Sequence, residues 1–394
     1  MVVLRDSVVS RFMGSITALV ELAALAFGLP AEAKAQPFSV EVLSLPYNSI
    51  LGRDSRQSMS VGISADGTII TGNGFDIDAE PNGFPDTFRY HNSIAFQYNR
   101  TNGQFTYYPQ VPQGGSYAFA QTVSRDGNAA FVTSGLVRDR FYVNGQGYIK
   151  PFTGVGEIYP SIANSGLMVI GETTSGPFVY RNGALATPPP PPGFSDYYPE
   201  AVSADASSFT TYEGLYYTFQ TSTWYDLGDL TEPGTWADPF IISADGTTVV
   251  GSSGPAGSAR SHFRWSVEDG FTYFSVPTSF TLEWDFGSSD LSILGRGSLV
   301  YSHSLGLIDM TQLVNASGAM PAGLTMDYFT GVADDQHTFV GIARDSVERQ
   351  FSVVVTTVPA PGAAGLVAMG LAAASPRRRP RADGRSSVSG RRDA

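Results

Sequence analysis

Four oxygen-bearing side chains alternate along the chain at Asp76, Asp78, Glu80 and Asn82, with Asp86 just beyond. Hard oxygen ligands at every second position of a loop suit calcium. The spacing imitates the opening of an EF-hand loop, yet Pro81 stands where that loop requires glycine and Thr87 where it requires a carboxylate. These four residues are therefore a calcium candidate set against a plainer reading, a solvated acidic loop. A second group, Asp66, Asp126, Asp245 and Asp335, recurs at the same place in a repeated pattern. It could be taken for a ring of catalytic carboxylates. Turn chemistry accounts for it more simply, because aspartate caps its own turn and tolerates the backbone a tight turn needs.

Other chemistries find little support. His91, His262, His303 and His337 show no H-x-H or HExxH spacing for a metal. A Ser-His-Asp triad is assembled in space, and here no Gly-x-Ser-x-Gly elbow announces one. With no cysteine in the chain, disulfides, zinc-thiolate sites and thiol catalysis are all excluded. Trp224, Trp236, Trp265 and Trp284, among 19 tyrosines, could stack on sugars or fill a core.

The elements that would position these residues are strands. Residues 241–251 read Ile-Ile-Ser-Ala-Asp-Gly-Thr-Thr-Val-Val-Gly, a strand, a tight turn and a second strand. Ser261-His262-Phe263-Arg264-Trp265 and Phe271-Thr272-Tyr273-Phe274 add two more, making four short strands in about forty residues. The turn returns at Asp66, Asp126, Ser165, Asp205, Asp245, Asp290 and Asp335, with steps of 60, 39, 40, 40, 45 and 45 residues. A period of that size in β-rich sequence predicts propeller blades. Aromatic strands recur in the second half of each unit, at 95–98, 141–143, 178–180, 216–219 and 299–301. The expected fold is all-β: a propeller of about seven four-stranded antiparallel blades, with six and eight as the neighbouring solutions.

Closure follows from a mismatch. The last unit has a strand at 351–355 and no fourth strand before Pro359, whereas Phe38-Ser39-Val40-Glu41-Val42-Leu43-Ser44-Leu45 near the start has no partner hairpin. Pairing the two would tie the ring. Two segments break the rhythm: a longer first unit around residues 75–83, and five prolines at 188–192 that predict a stiff exposed loop.

Composition agrees. Of 394 residues, 43 are Gly, 25 Pro and 25 Phe, while charged residues make up only 15%. Ten of the 24 basic and five of the 36 acidic residues lie in the two ends, so the body carries 14 and 31, a charge near −17, with Lys150 its one lysine. Nucleic acid is excluded as a partner, since binding it requires clustered cations.

Both ends read as addresses. Residues 1–35 carry Arg5 and Arg11, an apolar run from 22 to 29, and Ala33-Lys34-Ala35 before Gln36, the pattern of a cleaved signal peptide forming a short helix. At the other end Val358-Pro359-Ala360-Pro361 precedes an apolar stretch at 362–374, then Arg377, Arg378, Arg379 and Arg381. Thirteen apolar residues as a helix reach about 20 Å, short of a full membrane span, so the segment fits a transient stop held by arginines. The division expected is a leader at 1–35, a propeller at 36–358 and a tail at 359–394.

This tail resembles the PEP-CTERM sorting signal of exported bacterial proteins, with Ala360 where the usual glutamate stands. The resemblance implies recognition by an exosortase-type membrane enzyme, removal of the tail, and delivery to the envelope or extracellular matrix. The repeated unit resembles the HAF repeat of exported bacterial proteins, most closely at Ser261-His262-Phe263-Arg264-Trp265 and Ile94-Ala95-Phe96, although most copies lack the histidine. Two functions compete. One is a non-enzymatic propeller that binds or scaffolds outside the cell, with a polysaccharide or envelope protein as partner. The other is a glycan-active hydrolase or lyase with paired carboxylates in the central funnel. A calcium-stabilised adhesin is a third reading. No cofactor other than calcium is implied.

Overall fold

The computed structural model describes residues 38–76, 93–112, 118–134, 137–154, 156–193, 197–228, 236–254, 261–274, 284–302 and 306–358. Within them seven four-stranded antiparallel sheets follow one another along the chain. They are blade 1 (57–107), blade 2 (119–149), blade 3 (156–186), blade 4 (199–226), blade 5 (236–274), blade 6 (286–309) and blade 7 (324–357). The leader and the apolar tail lie outside the described residues.

Blade 7 has only three strands of its own. Its fourth is Phe38–Val42, which pairs antiparallel with Gln350–Thr357 in the register Phe38↔Thr357 to Val42↔Val353. The first and last strands of the propeller thus share one sheet, and the ring is tied as the unpartnered strand in the sequence suggested.

Strand burial follows position within the blade. Second strands are buried on both faces, as at Ala129–Thr133 and Thr248–Gly254, because each blade is sandwiched between two others. Fourth strands lie at the rim and show polar, exposed positions, as at Gln104–Tyr107. The cores form between neighbours: Ala201 and Tyr216 of blade 4 pack with Ile242, Val249, Phe263 and Trp265 of blade 5.

A small device repeats inside the blades. Gly72, Gly171 and Gly251 sit on second strands opposite Phe96, Phe178 and Phe263 on third strands. Beside each glycine the first strand breaks register, pressing a carbonyl towards it. A Cβ placed on Gly72 would lie 2.6 Å from the Met59 carbonyl oxygen and 2.7 Å from the Phe96 ring. Backbone cannot step aside there, so Gly72→Ala is expected to cost about 2 kcal/mol or more, read as a lower midpoint in thermal or urea unfolding.

Between blades 6 and 7 the chain forms one helix, α1, Met310–Ser317. Asp309 caps it by accepting from the Gln312 N–H, and Gly318 ends it in the left-handed conformation. Asn315 fixes it to blade 7 through both its amide groups and the backbone of Met326. The repeat pattern gave no sign of this helix, which fills a connection between blades and interrupts no strand.

Candidate functional site

The two faces of the ring are built differently. Every first-to-second-strand turn has five residues: 64–68, 124–128, 163–167, 203–207, 243–247, 288–292 and 333–337. On the opposite face the second-to-third-strand links run from two residues (297–298) to eighteen (76–93), and the links between blades reach fourteen (310–323). Uniform corners serve the scaffold, whereas variable connections are where binding residues usually sit.

The corners share one hydrogen-bond plan. In blades 1, 2, 4, 5 and 6 the first corner residue is serine: Ser64, Ser124, Ser203, Ser243 and Ser288. Each donates its hydroxyl to the aspartate two residues on, at 2.6–2.7 Å. The same serine oxygen accepts the N–H five residues ahead. The aspartate accepts a further N–H two residues beyond itself. The fourth corner residue has positive φ in all seven blades, from 56° at Leu291 to 72° at Gly67. Glycine serves there in blades 1, 2, 3 and 5, while Ala206, Leu291 and Gln336 hold the strained conformation in the others.

These carboxylates are committed to the fold. Burial raises the pKa of Asp66, Asp126, Asp245 and Asp290, but hydrogen bonds from serine, threonine and backbone groups outweigh it and leave each below the usual range. Asp335 behaves alike through Thr338 and His337. A depressed folded-state pKa contributes stability above the unfolded value and loses it as protons are taken up. Thermal stability should therefore hold at neutral pH and fall steeply below about pH 4, near the unfolded aspartate value. Calorimetry across pH 2–7 (order-of-magnitude bounds for carboxylate titration) tests this; an unchanged midpoint through that range would contradict it.

The corners are also joined to one another. The Ala65 N–H donates to the Arg125 carbonyl (2.6 Å), Asn164 to Ala204 (2.8 Å), Asp205 to Ala244 (3.0 Å), Ala244 to Ser289 (2.8 Å) and Asp334 to Ala65 (2.7 Å). The Asp126 N–H donates to the Asn164 side chain and the Ser289 N–H to the Asp334 side chain. Seven links thus run through seven blades and return to their start.

Arg125 adds a bond across the ring. From the blade 2 corner its guanidinium donates to Ser289 Oγ of blade 6 (3.0 Å), to the Val332 carbonyl (3.2 Å) and to Asp334 of blade 7 (2.6 Å). Burial lowers its pKa, and Asp334 and Asp290 act in the opposite direction. Arg125 therefore crosses the axial channel at the level of the corners.

The channel is lined by the first strands of all seven blades and encloses about 270 Å³. Its wall is mostly aliphatic and turn residues with Phe240 and Phe286, Arg125, Glu200 and Asp285 being its charged groups and Thr122, Ser161, Ser288, Ser289 and Thr330 its hydroxyls. It is a narrow cavity that can take a small polar molecule.

The remaining residues singled out in the sequence fall elsewhere. Asp76 is buried at the end of a second strand, where it pairs with Arg53 and accepts the Arg56 N–H at 2.7 Å. Its oxygens hold residues 53–56 against blade 1. Asp78, Glu80 and Asn82 lie outside the described residues, as do His91 and His303. Of the sorting motif, Val358 is described and exposed; Pro359, Ala360, Pro361, Arg377, Arg378, Arg379 and Arg381 lie outside. His262 is buried beside Phe274 and Trp284, and His337 sits in the blade 7 corner bonded to Thr357 (2.8 Å). Trp265 and Trp284 are core residues. Trp224 donates to the Pro189 carbonyl at 2.7 Å, docking the proline run on blade 4. Trp236 is half-buried on the long-connection face. Among the described residues, no group of three His, Asp or Glu is placed to hold a metal ion.

Arg125 and the chain of linked corners were not read from the sequence. The one available signal was an arginine at a corner position held elsewhere by Ala, Asn, Ser or Asp.

No known protein family matches the chain, and no curated protein sequence matches it. Among solved structures it is similar to TolB from Acinetobacter baumannii, at 13% identity and a TM-score of 0.32, over 90% of this chain and 71% of that one. A structure described as TolB from Agrobacterium tumefaciens aligns at 11% identity and a TM-score of 0.34, over 60% of this chain and 88% of that one. Likeness at this level says nothing about ligand or role.

Proposed function

We propose that this chain is an exported propeller of the cell envelope or extracellular matrix that binds or scaffolds, with its binding surface on the face of the long connections. The observation that carries this reading is the contrast between the faces: seven corners of equal length, bonded to one another, on one, variable connections on the other. The corner aspartates, the one repeated set of carboxylates, are engaged in turn hydrogen bonds. Glu200 and Asp285 stand in a channel wall that is otherwise mostly aliphatic or turn-forming. Phe240 and Phe286 are the aromatic residues of that wall, and a glycan hydrolase or lyase working there would have to use Glu200 and Asp285 as its carboxylate pair.

The address of the protein rests on its ends. Residues 1–35 have the charge, apolar run and small residues of a signal peptide, and 358–381 have the layout of an exosortase-type sorting signal. Phe38 pairs with Thr357, so both ends of the ring leave on the face of the five-residue corners.

The test is fractionation of cells producing the full chain, with mass spectrometry of the product and incubation of that product with isolated envelope. The expected outcome is an extracytoplasmic protein starting at Gln36 that binds envelope material and releases no sugar. An intact product retained in the cytoplasm contradicts export; released reducing ends or unsaturated sugars contradict binding without catalysis.

A further inference from the structure

Among the described residues five aromatic side chains, all tyrosines, are exposed: Tyr47, Tyr107, Tyr198, Tyr212 and Tyr273. Two of them stand together with a tryptophan on the long-connection face. Tyr198 is 42% and Tyr212 57% exposed, and Trp236 beside them is half-buried. They come from the approach to the first strand of blade 4, the second-to-third-strand turn of blade 4, and the start of blade 5. Two residues beyond Tyr198, Glu200 lines the channel.

The arrangement is held from beneath. The Tyr212 N–H donates to the Tyr198 carbonyl at 2.8 Å, and the Tyr198 N–H donates to Glu213 Oε2 at 2.9 Å. Gly214, at φ +80°, lets the turn approach blade 5 so closely that a Cβ there would lie 2.6 Å from the Ala237 carbonyl oxygen. That approach sets the Tyr212 and Trp236 rings edge to face, with centroids 6.2 Å apart. On the blade 3 side the Tyr159 hydroxyl donates to Glu172 Oε2 at 3.1 Å. Burial, then Glu172, then more distant groups including Tyr198 push that phenol up to about 12, so it stays protonated.

We infer that Tyr198, Tyr212 and Trp236, edged by Glu172 and Glu213, form a binding platform for a neutral hexopyranose polysaccharide. This rests on the proposed binding face and names its ligand class. Fixed, exposed rings match the apolar C–H face of a pyranose and lose little side-chain entropy on contact. The carboxylates beside them accept hydrogen bonds from sugar hydroxyls. Charge selects among polymers: Glu172 and Glu213 repel uronates, and nearby Arg138 is paired with Glu157 at 2.6 Å.

Affinity electrophoresis of the secreted protein tests the inference, in gels containing a β-glucan, a mannan or the uronate polymer alginate. The expected result is retardation by at least one neutral polymer and none by alginate. Y198A/Y212A should weaken retardation about tenfold or more, the loss of roughly one ring contact's free energy. Y273A, which removes another exposed tyrosine on the outer strand of blade 5, should leave it unchanged. Both tyrosines of the double variant are surface residues, so an unchanged thermal midpoint confirms that the fold is intact. No retardation by any neutral polymer, or full retardation of the double variant, overturns the inference. If the double variant loses envelope binding while the wild type binds no polysaccharide, the platform is not a sugar site and the binding-face reading stands.

Discussion

Replacing Phe38–Val42 with a Gly-Ser stretch of equal length is expected to abolish cooperative unfolding of the ring, or to lower its midpoint by more than about 10 °C. That segment is the fourth strand of blade 7, and Phe38 is buried with Val353, Val355 and Phe339. Losing a buried phenylalanine alone costs about 3–5 kcal/mol, against a total stability of about 5–15. The strand also joins its neighbours: Glu41 pairs with Arg100 of blade 1, at 3.5 Å. Its removal would expose the edge of Gln350–Thr357, and limited proteolysis should then cut blade 7 first. An unaltered cooperative transition would show that closure does not depend on this strand.

The second large effect is expected at Arg125. Its guanidinium ties blade 2 to blades 6 and 7, and no other corner sends a cation across the channel among the described residues. Arg125→Ala removes three acceptors' partner and leaves Asp334 without its ion pair. Asp334 is 40% exposed and can turn to water, so the cost is put at about 2–3 kcal/mol, below that of a fully buried pair. Arg125→Lys should recover little, because one ammonium on a flexible stem cannot replace a planar fork. Both variants are read by urea unfolding. Wild-type stability in Arg125→Ala would mean that the linked corners alone hold this end of the ring.

The fold was legible because the propeller repeats. A turn carrying Asp-Gly at three corners, and Asp or Gly at each of the other four, alternates with β-branched strands and marks the same place seven times, and the strand that opens at Phe38 had no partner within its own unit. The five-residue length of every corner explains why the signal survives at Leu291 and Gln336, where glycine is lost: the serine or aspartate hydrogen bonds remain. What the chain hid depends on space. Nothing near Asp76 in sequence announces that Arg53 and Arg56 will meet it; its alternation with Asp78 read as a solvated acidic loop or a calcium candidate. Tyr198, Tyr212 and Trp236 belong to separate strands and turns, so no local pattern gathers them; only the packing of blade 4 on blade 5 does. Helix α1 carries too short an apolar pattern to stand out among strands.

Closure of the ring is most directly tested by a cysteine pair, since the chain has no cysteine of its own. Ser39 and Thr356 face each other across the paired strands. Oxidation of Ser39→Cys/Thr356→Cys should give an intramolecular disulfide in high yield and raise the thermal midpoint. Ser39→Cys/Gln350→Cys, six residues further along the partner strand, should stay reduced. Equal cross-linking of both pairs, or none in the first, would contradict a propeller clasped by its N-terminal strand.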